Sequence, residues 1–193
     1  MKCDHYFHHC SKEYIETIDS SLISEVVHVI SKLPTRQTQA EINRDLWWLL
    51  TDRGWSYDTA PAGLPESPPN GIDVKIIAVS ERKRERERSL CRTSTTIDAK
   101  WHADFGRTYV GKLVQMEAQF GTVESMFKDF CGFRIANYEK RLALGIEIVM
   151  SEPNVYFAHR KGAVTGMAYF EVAKKTLPAI GLDCPIWLIG IRE

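Results

Sequence analysis

Apolar residues recur along this chain at two periods. Over residues 19–33 they fall at Leu22, Ile23, Val26, Val27, Ile30 and Leu33, the spacing of a helix with one buried face, and Pro34 stops it. A second helix is predicted from Gln39 to Arg53, with Ile42, Leu46, Leu49 and Leu50 sharing a face and Gly54 marking the end. Trp47 and Trp48 are adjacent and cannot both hold the centre of that face, so one is expected to pack against another element or a partner subunit. Residues 123–140 repeat the helical spacing through Val123, Met126, Phe127, Phe130 and Phe133, a stripe that suits either the core or a dimer surface. A further helix is expected over Met167–Leu177.

The second period is two. Residues 97–120 read as two short strands separated by a turn around Gly106–Gly111. In the second, Val114, Met116, Ala118 and Phe120 alternate with Leu113, Gln115, Glu117 and Gln119. One face therefore goes to the core, and the other presents three polar side chains in a row, starting with Gln115. Ile72–Val79 and Leu144–Val149 look like buried strands, and Pro185–Ile191 is a near-continuous apolar run that reads as a central strand. Residues 60–70 and 150–166 are loop-like, rich in Pro and Gly. Strands alternating with helices predict an α/β (α+β) fold, a central mixed β-sheet flanked by helices. No internal repeat is visible.

Length and composition narrow the class. The 193 residues suit one domain, and 44% apolar with 26% charged side chains is ordinary globular composition. Zero net charge argues against a protein that coats nucleic acid by bulk charge, while leaving room for a local basic surface. One such run is ERKRERERSLCR at 81–92, with six basic and three acidic residues, which is either a solvated self-paired segment or a phosphate-facing patch. The five cysteines are odd in number and scattered, without zinc-ribbon spacing, which favours a reducing compartment. With no signal-like start and no long apolar stretch, a soluble cytoplasmic protein is expected. The histidines at 5, 8 and 9 read as a ragged terminus rather than a metal site.

Asp104, Glu117 and Gln119 are the candidates for chemistry. Glu117 and Gln119 lie two apart on one strand and point to the same side, and a tight hairpin can return Asp104 to Glu117. Two converging carboxylates repel each other, and a hard divalent cation such as Mg²⁺ removes that cost. Taken alone, the spacing is also met by chance, with Asp104 a turn residue and Glu117 an exposed strand position.

The stretch from Asp104 to Ile191 resembles type II restriction endonucleases of the BglII and BstYI group, within the PD-(D/E)xK nuclease superfamily. The resemblance is carried by DFG at 104–106, MEAQFG at 116–121, the aromatic helix, LGIEI at 144–148, AYFE at 168–171 and PIWLIGI at 185–191. Upstream, residues 22–33 resemble the group's first helix and 41–55 its second, which implies that residues 1–193 form one endonuclease domain with 56–100 a variable, insertion-like region. The resemblance implies Asp104 and Glu117 as metal ligands and Gln119 where most of the superfamily has lysine. A glutamine takes no proton at neutral pH, so its amide can only position water or a phosphate oxygen.

The resemblance further implies a Mg²⁺-dependent homodimer that cuts double-stranded DNA at a short palindrome, on the group's pattern a GATC core. It would leave 5′ overhangs with 5′-phosphates, in a host carrying a cognate DNA methyltransferase. Loops reaching the major groove put forward Thr122, Ser125, Asn154, Arg160, Lys161 and Thr165 for DNA, and Arg107 and Lys112 for phosphates beside the site. Simpler roles exist for each, Thr122 as a helix cap and Arg160 and Lys161 as surface charges. Two other functions fit the same residues: a repair nuclease that is sequence-nonspecific or structure-selective, and a non-catalytic DNA-binding subunit, against which the intact Asp104, Glu117 and Gln119 speak.

Overall fold

The computed structural model describes residues 1–74, 88–162 and 164–193. The amino terminus is not ragged: it forms strand β1 (Lys2–His8), which lies antiparallel against the last strand and buries His8. Its side chains alternate, with Cys3 and Phe7 packed against one core and Tyr6 against another, a pattern masked in the sequence by its polar residues. The helix expected over 19–33 is α2 (Leu22–Ser31), and it is preceded by a helix that was not expected, α1 (Lys12–Ile18), capped by the Ser11 hydroxyl. Helix α3 (Gln39–Asp52) starts where a capping box fixes it: Glu41 N–H donates to the Thr38 hydroxyl while the Glu41 carboxylate accepts the Thr38 amide. Trp47 and Trp48 are both buried, Trp47 edge-on to Tyr57 at 5.1 Å, so the monomer accommodates the pair without a partner subunit.

The remaining elements are β2 (Ser56–Tyr57), β3 (Phe105–Tyr109), β4 (Lys112–Ala118), α4 (Val123–Tyr138), β5 (Leu142–Met150), the short α5 (Pro153–Tyr156), α6 (Phe170–Ala179) and β6 (Ile186–Arg192). The strands form one mixed sheet in the order β1-β6-β5-β4-β3-β2. Strands β4, β5 and β6 run parallel, which explains why β5 and β6 read as unbroken apolar runs: both of their faces are covered. Helices α1–α3 pack on one face over Val114, Met116, Ile146, Ile148 and Trp187. Helices α4 and α6 cover the other, where Met126, Phe130, Phe133 and Leu177 meet Val149, Ile186 and Leu188. The α4 stripe thus serves the core, except Phe127, which stays exposed.

Further expectations shift: the first strand of the hairpin lies at Phe105–Tyr109, with Gly106 inside it, rather than before Gly106. The helix expected from Met167 starts at Phe170, because Met167 and Tyr169 make bridges to Thr122 and Met150 and hold the backbone extended. Of the strand expected at 72–79, residues 72–74 are not extended ladder, and 75–79 lie outside the described residues. Of the charged run, 81–87 likewise lie outside them, and 88–91 are helical. No helix among the described residues is long and apolar enough to cross a membrane.

Candidate active site

Because β4 and β5 are parallel, their carboxyl-terminal ends share one edge of the sheet, and the antiparallel β3 starts there. This is the edge at which open α/β sheets place their ligand sites. Asp104 immediately precedes β3, and Glu117 is the second-last residue of β4. The β3–β4 hairpin turns at Val110 and Gly111, both at positive φ, and so spans the separation in sequence. The amide of Asp104 donates to Glu117 Oε2 at 3.0 Å, and the amide of Ala118 donates to Asp104 Oδ2 at 3.0 Å. Burial pushes the Glu117 carboxyl well above the usual range, and the Asp104 charge pushes it further. Asp104 is open to solvent on one side, yet the protein packed around it raises its affinity for a proton too, against the pull of the Ala118 amide.

Two further acids meet here that the sequence did not single out. Glu147 of β5 is in register with Glu117, so on parallel neighbours the two side chains leave the same face. Glu147 is fully buried, and among the described residues neither carboxylate oxygen has a hydrogen-bond partner. Its carboxyl is raised well above the usual range by burial first, then by the charges of Asp129, Glu117 and Asp104. Asp129 comes from α4 and is pushed up to about 6, chiefly by burial. Its Oδ2 accepts Gln119 Nε2 at 2.7 Å, while Gln119 Oε1 accepts the Gly121 amide at 2.8 Å. Gln119 is therefore held by Asp129 and by its own turn, with one amide hydrogen and one lone pair left for another partner. A glutamate inside the apolar run LGIEIV was the one available signal for Glu147; Asp129, on a polar stretch of helix, left none.

The polar row expected on β4 is not continuous. Gln115 is fully buried beneath residues 90–92, whose carbonyls accept its amide nitrogen, so the open part of the strand begins at Glu117. Beyond it opens a cleft of about 430 Å³ in which Arg88, Lys100, His102 and Lys128 face Glu117 and Asp129. Asp58, after β2, accepts His102 Nδ1 at 2.5 Å and Arg88 Nε at 3.4 Å, and donates its amide to the Asp104 carbonyl at 3.1 Å. A smaller cavity of about 130 Å³, lined by Asn43, Trp47 and Thr59, also reaches Asp104.

The residues put forward for DNA divide by position. Thr122 caps α4 by accepting the Ser125 amide, and Gly121 and Val123 are tied by backbone hydrogen bonds to Ala168 and Gly166. That brings Thr122, Ser125 and Thr165 to the edge that carries Glu117. Asn154 and Lys161 are exposed in the segment that follows β5. Arg160 is drawn onto the Tyr156 ring and to Glu193 Oε1 at 2.6 Å. Arg107 points to the opposite face of the sheet, where it binds Glu25 at 3.0 Å and the Arg53 carbonyl at 2.7 Å. Lys112 sits at the far end of β4, donating to the Thr17 carbonyl.

Among the described residues, no three His, Cys, Asp or Glu side chains are gathered tightly enough to enclose a metal ion as they stand. The donor set nevertheless fits a hard divalent cation: an Asp–Glu pair at the strand edge, and buried Glu147 oxygens with no hydrogen bond to give up.

The fold has a counterpart among solved structures. It matches the crystal structure of restriction endonuclease BglII complexed with a DNA 16-mer, with TM-score 0.60 and 17% identity over 100% of this chain and 79% of that one. No curated protein sequence matches the chain. The family model described as restriction endonuclease BglII/BglIII matches residues 3–191, and over that span, nearly the whole length, the chain belongs to the BglII/BglIII family of restriction endonucleases.

Proposed function

We propose that this protein is a Mg²⁺-dependent type II restriction endonuclease that hydrolyses phosphodiesters in double-stranded DNA. It acts as a homodimer on a short palindrome with a GATC core, leaving 5′ overhangs and 5′-phosphates, and its host carries a DNA methyltransferase of the same specificity. The observation that carries the reading is the Asp104–Glu117 pair at the carboxyl edge of the parallel strands, where Glu117 faces a cleft rimmed by Arg88, Lys100, His102 and Lys128 and Asp104 faces a smaller cavity beside Trp47. The palindrome, its core and the dimer rest on the family resemblance.

Asp104 and Glu117 hold the cation, for which the two backbone amides between them fix the carboxylates in place. Magnesium bound there supplies charge to offset the negative charge that grows on the phosphoryl group. Gln119, steadied by Asp129, turns its remaining amide hydrogen or lone pair to a water or a phosphate oxygen. The cationic rim receives phosphates. Thr122, Ser125, Asn154, Lys161 and Thr165 offer hydrogen bonds to bases or backbone. Arg107 and Lys112 take no part, since their side chains serve the opposite face and the far end of β4, and Arg160 is engaged by Tyr156 and Glu193.

The test is Mg²⁺-dependent digestion of a fully sequenced, unmethylated plasmid with end mapping, run beside Glu117→Ala. Discrete fragments sharing one palindrome, absent with the variant, are expected. Smearing would keep the nuclease and discard the sequence specificity. Tight duplex binding without cleavage would point instead to a non-catalytic DNA-binding subunit.

A further inference from the structure

Glu147 is unusual on physical grounds that do not depend on any relative. It lies in the middle of β5 under α4, between Gly145 and Val149, where an apolar side chain would pack without cost. It is fully buried, and among the described residues neither oxygen has a hydrogen-bond partner. An ionised carboxylate left so is strongly disfavoured. Protonation does not resolve the matter, because a neutral acid still carries an O–H donor and a carbonyl acceptor, and neither finds a protein group. Among the described residues the partner is missing, so a bound ion or an ordered water must supply it.

What binds is indicated by the neighbours. Glu147 stands level with Glu117 on the adjacent parallel strand, and the charges that act on it are those of Asp129, Glu117 and Asp104, all carboxylates. We propose that Glu147 is a third carboxylate of the cation centre, which takes up a hard divalent ion together with Glu117, directly or through one of the ion's waters. This rests on the nuclease reading above and adds to it a residue from β5 that lies behind the Asp104–Glu117 pair. Waters are retained readily by Mg²⁺, so a carboxylate one layer back still has a ligand to hold.

Mn²⁺ binding, followed by electron paramagnetic resonance on the full chain without DNA, tests this independently of turnover. Wild type, Glu147→Gln, Glu147→Leu and Glu117→Ala are compared, with circular dichroism verifying the fold of each. Glu147→Gln is expected to weaken Mn²⁺ binding by about tenfold or more, the usual scale for a residue around a metal. Glu147→Leu, which restores apolar packing, should melt higher than wild type in EDTA and lose much of the rise in Tm that Mn²⁺ gives the wild type. Unchanged Mn²⁺ affinity in both Glu147 variants, with Glu117→Ala impaired, would leave the nuclease reading standing and overturn this one, making Glu147 a core acid satisfied by ordered water. A wild type that neither binds Mn²⁺ nor cuts DNA would overturn both.

Discussion

The amide of Asp104 donates to the Glu117 carboxylate, and the amide that follows Glu117, on Ala118, donates back to the Asp104 carboxylate. Each acid is thus aimed by the strand that carries the other, and the ends of β3 and β4 are locked together at the carboxyl edge of the parallel strands. Asp104→Asn keeps an acceptor for Ala118 and removes only charge. It is expected to leave Tm within a few degrees of wild type in EDTA while cutting cleavage by more than about 100-fold, beyond the usual loss for an outer partner of a metal. Asp104→Ala also strips the Ala118 amide of its acceptor, so it should lower Tm as well. A plasmid-cleavage time course and thermal melts check both; an Asp104→Asn enzyme that cuts at wild-type rate would remove the residue from the site.

Asp129 gives the metal-free protein a pH dependence of definite sign. Burial raises its carboxyl from the ordinary 3.8 to about 6, despite the hydrogen bond from Gln119. Between about 4 and 6 the folded protein keeps a proton that the unfolded chain has released, so this residue adds stability as pH falls through 6 and withdraws it as pH rises through 6. His5 and His8, held below 6.5 by burial, work in the opposite direction over part of the same range. The contribution must therefore be read as a difference. Asp129→Asn should be more stable relative to wild type at pH 7.5 than at pH 5, in EDTA. An equal Tm difference at the two pH values would contradict the assignment.

The legible part of the site was the part built by local periodicity. Alternation over residues 113–120 put Glu117 and Gln119 on one face, and the hairpin returned Asp104, because both facts follow from a pleat and a turn. What escaped was set by neighbours distant in sequence. Glu147 acquires its meaning only from its register with Glu117, and Gln115 is sealed by residues 90–92, which no β4 pattern can announce. Asp58 and His102 meet across 44 residues. Strand β1 was missed for another reason: an edge strand only partly covered on its two faces tolerates Lys2 and Asp4 on one and His5 on the other, so its composition imitates a ragged end.

Gly106 marks where the covering segment lies flat on the hairpin. A Cβ there would come within 2.7 Å of the Leu90 carbonyl oxygen and 2.8 Å of its carbon, a backbone contact that no rotamer change relieves. Gly106→Ala should therefore push residues 88–92 outward and loosen the Gln115 contacts to their carbonyls. The expected cost is about 1–3 kcal/mol, the scale of overpacking in a filled core, measured by urea denaturation. Gly111, with nothing within 4 Å of its Cβ, is strained only by its φ of 78° and serves as the comparison for purely conformational cost.

The cationic rim predicts how DNA binding responds to salt. Lys128 and Lys100 line the cleft beside Glu117, whereas Lys112 lies five residues back along β4, about 17 Å away at 3.3–3.4 Å per strand residue. A lysine that neutralises one phosphate releases about 0.9 of a counterion, so its loss should make the plot of log K against log salt shallower by about 0.9. Measured with Ca²⁺ in place of Mg²⁺ to suppress cleavage, Lys128→Gln is expected to show that change and to weaken cognate and unrelated duplexes alike, since a phosphate contact carries no sequence. Lys112→Gln should leave the slope unchanged. The reverse ranking would mean that DNA approaches the hairpin turn rather than the carboxyl edge of the sheet, and the Asp104–Glu117 pair would then be too far from the backbone to act on it.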